Sequence, residues 1–304
     1  MTGIVASLGP VFLAILLGVA LRRLKLPGDA AWPAIEQLVY FVLFPALLFH
    51  QLATADLALA KVGLTGAALL GGILTMAALV ALLKRPLGIP GRQYSSVFQG
   101  AVRWNGAVAL GAIASLGGEA GLAIAAVAFG AMVPVANVMS VYVLTRHAQD
   151  RPADARTILR LILRNPLILA VCAGLAWSYT GLGLDPVTDA TLDLLADASI
   201  ALGLLAVGAS LDFRAARAGI ALVGLASALK LVAMPLIMAG WCLAFGVGGP
   251  ALIVAVICGA VPSATSAYIL AKQLGGDAEL MAAIVTVQTA LAVLTMPAAI
   301  WLLA

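Results

Sequence analysis

The sequence FQGAVRWNGAVALG, residues 98–111, places a charged side chain and an amide side chain in the middle of an apolar segment. Arg103 and Asn105 lie close together there, and glycines surround them. An ionisable side chain inside a membrane is costly and usually faces a cavity with a function. Unwound backbone at membrane depth is tolerated only where it lines a cavity. The stretch therefore predicts a transmembrane helix broken at Gly106, which forms half of a substrate site.

The composition of the whole chain assigns this stretch to a membrane protein. Hydrophobic residues make up 63% of the 304 residues and charged residues only 10%, whereas about a quarter of a soluble domain is charged. We therefore predict an all-α polytopic membrane protein. The net charge of +4 comes mainly from short loops and does not indicate a nucleic-acid partner. The three cysteines lie singly in apolar segments, which predicts no metal site and no cofactor.

The hydrophobic segments predict ten membrane spans. A span needs about 20 apolar residues, and with ten spans 14 of the 17 Lys and Arg residues fall in loops on one side. The positive-inside rule makes those loops cytoplasmic, with both termini outside the cell (inner) membrane. A basic amphipathic helix is expected at 157–164 on the cytoplasmic surface. The predicted spans are 4–21, 31–50, 62–83, 94–115, 120–145, 165–181, 191–211, 218–245, 250–271 and 279–303.

An internal repeat divides the chain into two halves. The sequence LGGEAGL at 116–122 matches LGGDAEL at 274–280 with an offset of 158 residues. Because each half holds five spans, an odd number, the second copy must be inverted across the membrane. This predicts a first five-helix repeat at 1–145, a cytoplasmic linker at 146–164 and a second five-helix repeat at 165–304. Inverted repeats around a midplane site are typical of secondary transporters.

The repeat also predicts the partner of the first break. An offset of 157 leads from Asn105 to Pro262, and proline breaks a helix because it lacks an N–H group and clashes with the preceding turn. The hydroxyls of Ser263, Thr265 and Ser266 can satisfy the freed backbone or face a ligand. If the two broken spans cross, two half-helix N-termini face one volume, which favours an anion.

Several stretches resemble the auxin efflux carrier family. They are FPALLF at 44–49, the stretch at 98–111, LGLLAVGASL at 202–211 and VPSATSAYILAKQLGGDAEL at 261–280. This family includes bacterial permeases and plant PIN-type carriers, and it is related to the bile acid:sodium symporters.

The resemblance implies ten helices in two inverted five-helix repeats, with helices 4 and 9 crossing at their breaks. It also implies an elevator movement of a transport domain (helices 3–5 and 8–10) against a scaffold (helices 1, 2, 6 and 7). The implied substrates are small organic anions such as mono- or dicarboxylates, and a homodimer through the scaffold is compatible with it. The plant carriers have Pro-Asn where this chain has Trp104-Asn105, and they carry a carboxylate and a lysine where Lys61 is the only charge here. We therefore do not infer the coupling ion of this chain from the plant carriers.

The residues themselves leave alternatives open. Asn105 serves either as a substrate ligand or as an amide that packs helices together. Arg103 either binds a carboxylate or is neutralised by backbone carbonyls or a partner such as Asp197. Lys230 either reaches an interface or pairs with Asp212. Other polar side chains in the transport-domain spans are path-lining candidates: Gln99, Asn137 and Gln288.

The function also has competing hypotheses. The leading one is a secondary transporter of small organic anions, which lies in the lipid bilayer. The alternatives are a sodium-coupled symporter of larger organic anions and a non-transporting membrane sensor or channel. The sequence contains no HExxH, GxSxG or phosphate-loop motif, so we do not expect an enzyme.

Overall fold

A computed structural model of the chain describes residues 2–54, 59–148, 156, 160, 163–215 and 219–304. Within these ranges all regular structure is helical and no strand occurs. Seven helical stretches are long and apolar enough to cross a membrane, so this is a multi-pass membrane protein. The helices are α1 (Thr2–Arg23), α2 (Ala31–Thr54), α3 (Leu59–Leu87), α4 (Gly91–Val102), α5 (Gly106–Ala148), α6 (Pro166–Thr180), α7 (Pro186–Ser210), α8 (Ile220–Ala244), α9 (Pro250–Ala260), α10 (Ser266–Leu274) and α11 (Ala278–Leu303).

The predicted count of ten spans depends on the shorter helices. The apolar helices α6 and α9 have 15 and 11 residues, fewer than a full span requires. The stretch Gly91–Ala148 contains both α4 and α5 and is interrupted twice. Ten spans in two inverted repeats therefore stay a prediction. The amphipathic helix expected at 157–164 lies mostly outside the described residues.

Both copies of the repeated Leu-Gly-Gly sequence interrupt or end a helix. Gly118 has φ 55° and ψ −150° and kinks α5, while Gly275 has φ 77° and follows the last residue of α10. Glycine adopts a positive φ easily because it has no Cβ. Both matching sequences thus turn the chain at a glycine, although Gly275 corresponds to Gly117, one residue before Gly118.

Two helices of the described part of the chain contain a single π-helical turn. In α2 this turn is Val39–Leu43, and in α8 it is Leu229–Ala233, which includes Lys230. Such turns widen the helix locally and are frequent at functional sites. The turn in α8 packs against α4, α9 and α11.

The most extensive helix packing is between α1 and α7 and between α2 and α6. α1 lies along α7 at close range, because a Cβ at Gly18 would overlap the Leu205 carbonyl and one at Gly208 would overlap the Ile15 carbonyl. The second half of α2 packs along α6. The short helices α4 and α9 both pack against α5, α8 and α11, which places their ends in the interior.

Candidate functional site

The two predicted breaks are in direct contact. Helix α4 ends at Val102, and Arg103 continues in extended conformation with φ −75° and ψ 156°. Helix α9 ends at Ala260, and Val261 is likewise extended with φ −67° and ψ 152°. The backbone N–H of Asn105 donates to the carbonyl of Pro262 at 2.8 Å. We call the segments 103–105 and 261–265 the crossing.

Asn105 caps the helix that follows the first break. Its side-chain Oδ1 accepts from the N–H of Val108 at 3.2 Å, and its carbonyl accepts from the N–H of Ala109 at 3.0 Å. The bond to the Asn105 side chain satisfies the N–H of Val108, one of the first N–H groups of α5, which have no partner within the helix. The side-chain Nδ2 is buried and has no hydrogen-bond partner among the described residues. The fold therefore uses the amide oxygen and leaves the amide donor available.

Arg103 joins the crossing to two other helices through neutral groups. Its Nη1 donates to Asn137 Oδ1 at 2.8 Å and its Nη2 donates to Ser266 Oγ at 2.9 Å. Arg103 is 9% exposed, and its Nε has no partner in the described part of the chain. Neither ion pair found in that part involves Arg103, so the suggested pairing with Asp197 is not what the structure shows.

Gln288 connects the crossing to the helices around it. Its Oε1 accepts from the N–H of Ser263 at 2.8 Å, and its Nε2 donates to the carbonyls of Gly100 and Ala226 at 3.0 and 3.1 Å. Both ends of this amide are therefore occupied by the protein. By contrast, Gln99 is fully buried, and neither its Oε1 nor its Nε2 has a partner among the described residues.

The remaining predicted binding residues lie in the crossing or next to it in the chain. The Ser263 hydroxyl donates to the Gln99 carbonyl at 3.2 Å. Thr265 precedes α10, which has no side-chain cap, and both Thr265 and the following Ser266 are at least partly exposed. Gly106 lies against the ring of Phe129, which a Cβ would approach to 2.7 Å. Its small size thus serves the packing of an aromatic ring.

Sequence reasoning missed the aromatic residues of the site. Trp104 lies between Arg103 and Asn105 and packs edge-to-face on Phe129, with ring centroids 4.6 Å apart. Phe129 in turn contacts Phe44, at 6.4 Å between centroids. The sequence shows Trp104 beside the break, but the spacing of residues alone could not identify its partner on α5.

A cavity of about 920 Å³ has a lining that includes no residue of the crossing. It is bordered by residues of α2, α3, α5, α7 and α9, and none of the predicted binding residues lines it. Its ionisable lining residues are Glu119, Asp189, Asp193, Asp197 and His50. His50 Nε2 lies 2.8 Å from Asp189 Oδ1, which connects α2 to α7. The cavity is therefore acidic, in contrast to the crossing.

Comparison with known proteins identifies the family. The family described as membrane transport protein, the auxin efflux carrier family, matches residues 135–300, more than half of the chain. The chain belongs to this family. A transporter of uncharacterised function from Methanothermobacter thermautotrophicus is 25% identical over 293 residues, which cover 94% of each chain.

The auxin efflux carrier component 2 of Arabidopsis thaliana is a partial match. It is 26% identical over 140 residues, which are 42% of this chain but 22% of the plant protein. The chain thus spans about a fifth of that relative and nearly all of the archaeal one. Membership of the auxin efflux carrier family makes this protein a membrane transporter.

Proposed function

We propose that the protein is a secondary transporter that binds small organic anions, either monocarboxylates or dicarboxylates, at the crossing. The observation that carries the proposal is a group of buried polar atoms beside the crossing that lack partners among the described residues. Three are donors, namely Gln99 Nε2, Arg103 Nε and Asn105 Nδ2, and one is an acceptor, Gln99 Oε1. Buried polar atoms in folded proteins nearly always have a partner. A carboxylate accepts several hydrogen bonds at once and suits a guanidinium donor.

The charges inside the protein favour the same class of ligand. Among the side chains whose burial the structure describes, Arg103 and Lys230 are the buried charged ones besides the titratable His50, and none is a buried carboxylate. An unpaired buried charge is costly. A bound anion offsets this excess of positive charge, whereas a cation adds to it.

The packing supports an arrangement of ten spans in two inverted five-helix repeats, 1–145 and 165–304. In this arrangement α4 with 106–117 forms the fourth span, and α9 with α10 forms the ninth. The scaffold consists of α1, α2, α6 and α7, which pack as the pairs described above. The broken helices and their neighbours α3, α5, α8 and α11 move against it in an elevator-type step. The basic loops face the cytoplasm, both termini lie outside the cell membrane, and the scaffold offers a homodimer surface.

The test uses a substitution that separates ligand binding from folding. Asn105→Asp retains the oxygen that caps α5 but replaces the free amide donor with a negative oxygen. Asn165→Asp is the matched control, because Asn165 also caps a helix, α6, through the N–H of Leu167 at 2.9 Å, and its Nδ2 is occupied by the Tyr40 hydroxyl at 3.3 Å. Thermal stability of the purified full-length variants is measured against a panel of mono- and dicarboxylates. A ligand that binds the folded state stabilises it by RT ln(1 + [L]/Kd).

We expect at least one acid to stabilise the wild type and the control, and to lose its effect on Asn105→Asp. Counterflow of that acid in proteoliposomes then distinguishes a carrier from a channel or a sensor. If Asn105→Asp binds each acid as tightly as the wild type, the crossing is not the anion site.

A sodium-coupled symporter of larger organic anions is the competing proposal. The acidic cavity supports it, because its four carboxylates attract cations. The unpartnered buried side-chain atoms beside the crossing in the described ranges favour an anion over sodium, because three of the four are donors. Uptake that is unchanged when sodium is replaced by choline would eliminate this alternative.

A further inference from the structure

Lys230 is a fully buried lysine at the π-helical turn of α8. Its Nζ donates to the carbonyl of Cys258 at 3.3 Å. The suggested partner Asp212 lies elsewhere, where its Oδ1 accepts from the N–H groups of Arg214 and Ala215. No ion pair of Lys230 occurs within the described ranges. A buried ammonium beside a backbone carbonyl needs a structural reason.

The reason lies in the break of α9. In a continuous helix the carbonyl of Cys258 accepts from the N–H of residue 262. Residue 262 is proline, which has no N–H. The carbonyl is therefore left without its helical partner inside the protein, where such a group is costly. The ammonium of Lys230 supplies the missing donor.

The first break shows the same arrangement at the equivalent position. Gly100 precedes Cys258 by 158 residues, the offset of the repeated Leu-Gly-Gly sequence. Its helical partner would be the N–H of Trp104, but the chain has left the helix at Arg103. Gln288 Nε2 donates to the Gly100 carbonyl instead, at 3.0 Å. Each broken helix thus receives a side-chain donor at the same carbonyl, neutral in one case and basic in the other.

The basic donor has an electrostatic consequence at the crossing. The C-terminal end of a helix carries a partial negative charge, which a nearby cation offsets. The ends of α4 and α9 both point towards the crossing, where their partial charges oppose an anion. The helices packed on the turn of α8 carry few ionisable residues: Arg92 and Tyr94 on α4, Cys258 on α9 and Glu279 on α11.

We propose that Lys230 is a positioning residue that holds the broken end of α9 through the carbonyl left free by Pro262, and offsets the negative end of that helix. The capping role stands on the geometry alone. Its effect on anion affinity rests on the function proposed above.

The capping role is tested in the protein without ligand. Lys230→Met removes the donor, and Lys230→Arg restores a cationic donor. The matched control is Ser227→Ala, one turn earlier on α8, because the buried Ser227 hydroxyl has no partner among the described residues. Amide hydrogen exchange is followed across 259–268. We expect about tenfold faster exchange there in Lys230→Met and near-normal exchange in Lys230→Arg and Ser227→Ala. Equal exchange in Lys230→Met and Ser227→Ala would overturn the proposal.

A second variant tests the role of proline directly. Pro262→Ala supplies an N–H at residue 262, so Lys230→Met is expected to lower the melting temperature less in that background than in the wild type. If Lys230→Met alone does not fold, we expect the additional Pro262→Ala substitution to restore folding. Purely additive losses, or no rescue, would overturn the assignment.

Anion affinity then separates the two proposals. For the acid that stabilises the wild type, we expect Lys230→Met to weaken binding about tenfold and Lys230→Arg to weaken it little. If no acid binds the wild type, the proposed function fails while the exchange result still decides the capping role. If Lys230→Met alters exchange but binds the acid normally, the electrostatic part of the proposal is wrong.

Discussion

Replacement of Gln288 by leucine tests the network that holds the crossing together. Leucine has a similar volume, but it removes the acceptor for the Ser263 N–H and the donor for the Gly100 and Ala226 carbonyls. Hydrogen bonds between membrane helices contribute about 0.6 kcal/mol on average and about 1.7 kcal/mol at most. The three bonds of Gln288 together therefore contribute between about 2 and 5 kcal/mol. All three partners are buried main-chain groups, which favours the upper part of this range.

The matched control for this experiment is Thr289→Val, one residue along the same helix. Thr289 is equally buried, but its hydroxyl donates only to the Val285 carbonyl of its own helix, at 2.7 Å. Its loss should cost less than about 1 kcal/mol. Reversible unfolding of both variants in mixed micelles gives the two free energies of unfolding. If Gln288→Leu is no less stable than Thr289→Val, the bridging role assigned to Gln288 is wrong.

Two further predictions concern the helices of the proposed scaffold. Gly208→Val should strongly reduce the yield of folded protein, because any Cβ there overlaps the Ile15 carbonyl. Gly240→Val is the control and should be tolerated, because no atom lies within 4 Å of its Cβ position. The monodisperse fraction in size-exclusion chromatography measures both yields, and equal yields would contradict the tight packing of α1 on α7. Hydrogen bonds from Thr188 hold the pKa of the exposed Asp185 carboxylate, which precedes α7, below its usual value. Its contribution to stability is therefore present at neutral pH and is lost as the pH falls through that lowered pKa. Asp185→Ala should remove this part of the pH dependence of the melting temperature, and an unchanged pH profile would contradict it.

Much of the site could be predicted from local sequence. The break at Pro262 follows from a missing N–H, and the break at Asn105 follows from polar residues and glycine within an apolar stretch. The repeat indicated that the two breaks are partners, and the hydrogen bond from Asn105 to Pro262 places them in contact. These features are local because each depends on the chemistry of a few consecutive residues.

The partners of the buried polar side chains could not be predicted in the same way. Arg103 is held by Asn137 and Ser266, which lie 34 and 163 residues further along the chain. Gln288, a path-lining candidate by its position, has both ends of its amide occupied by other helices. Polar residues in apolar spans look alike in sequence, and only the neighbouring helices decide which groups are occupied.

The sequence by itself thus determined the membrane environment, the all-helical class and the two breaks, because hydropathy, glycine and proline act over short distances. Only the tertiary structure decided that Lys230 faces the carbonyl left free by Pro262, and that the acidic residues of α5 and α7 line one cavity. A side chain 32 residues from that proline becomes its counterpart because α8 packs against the end of α9, and such contacts depend on the packing of whole helices.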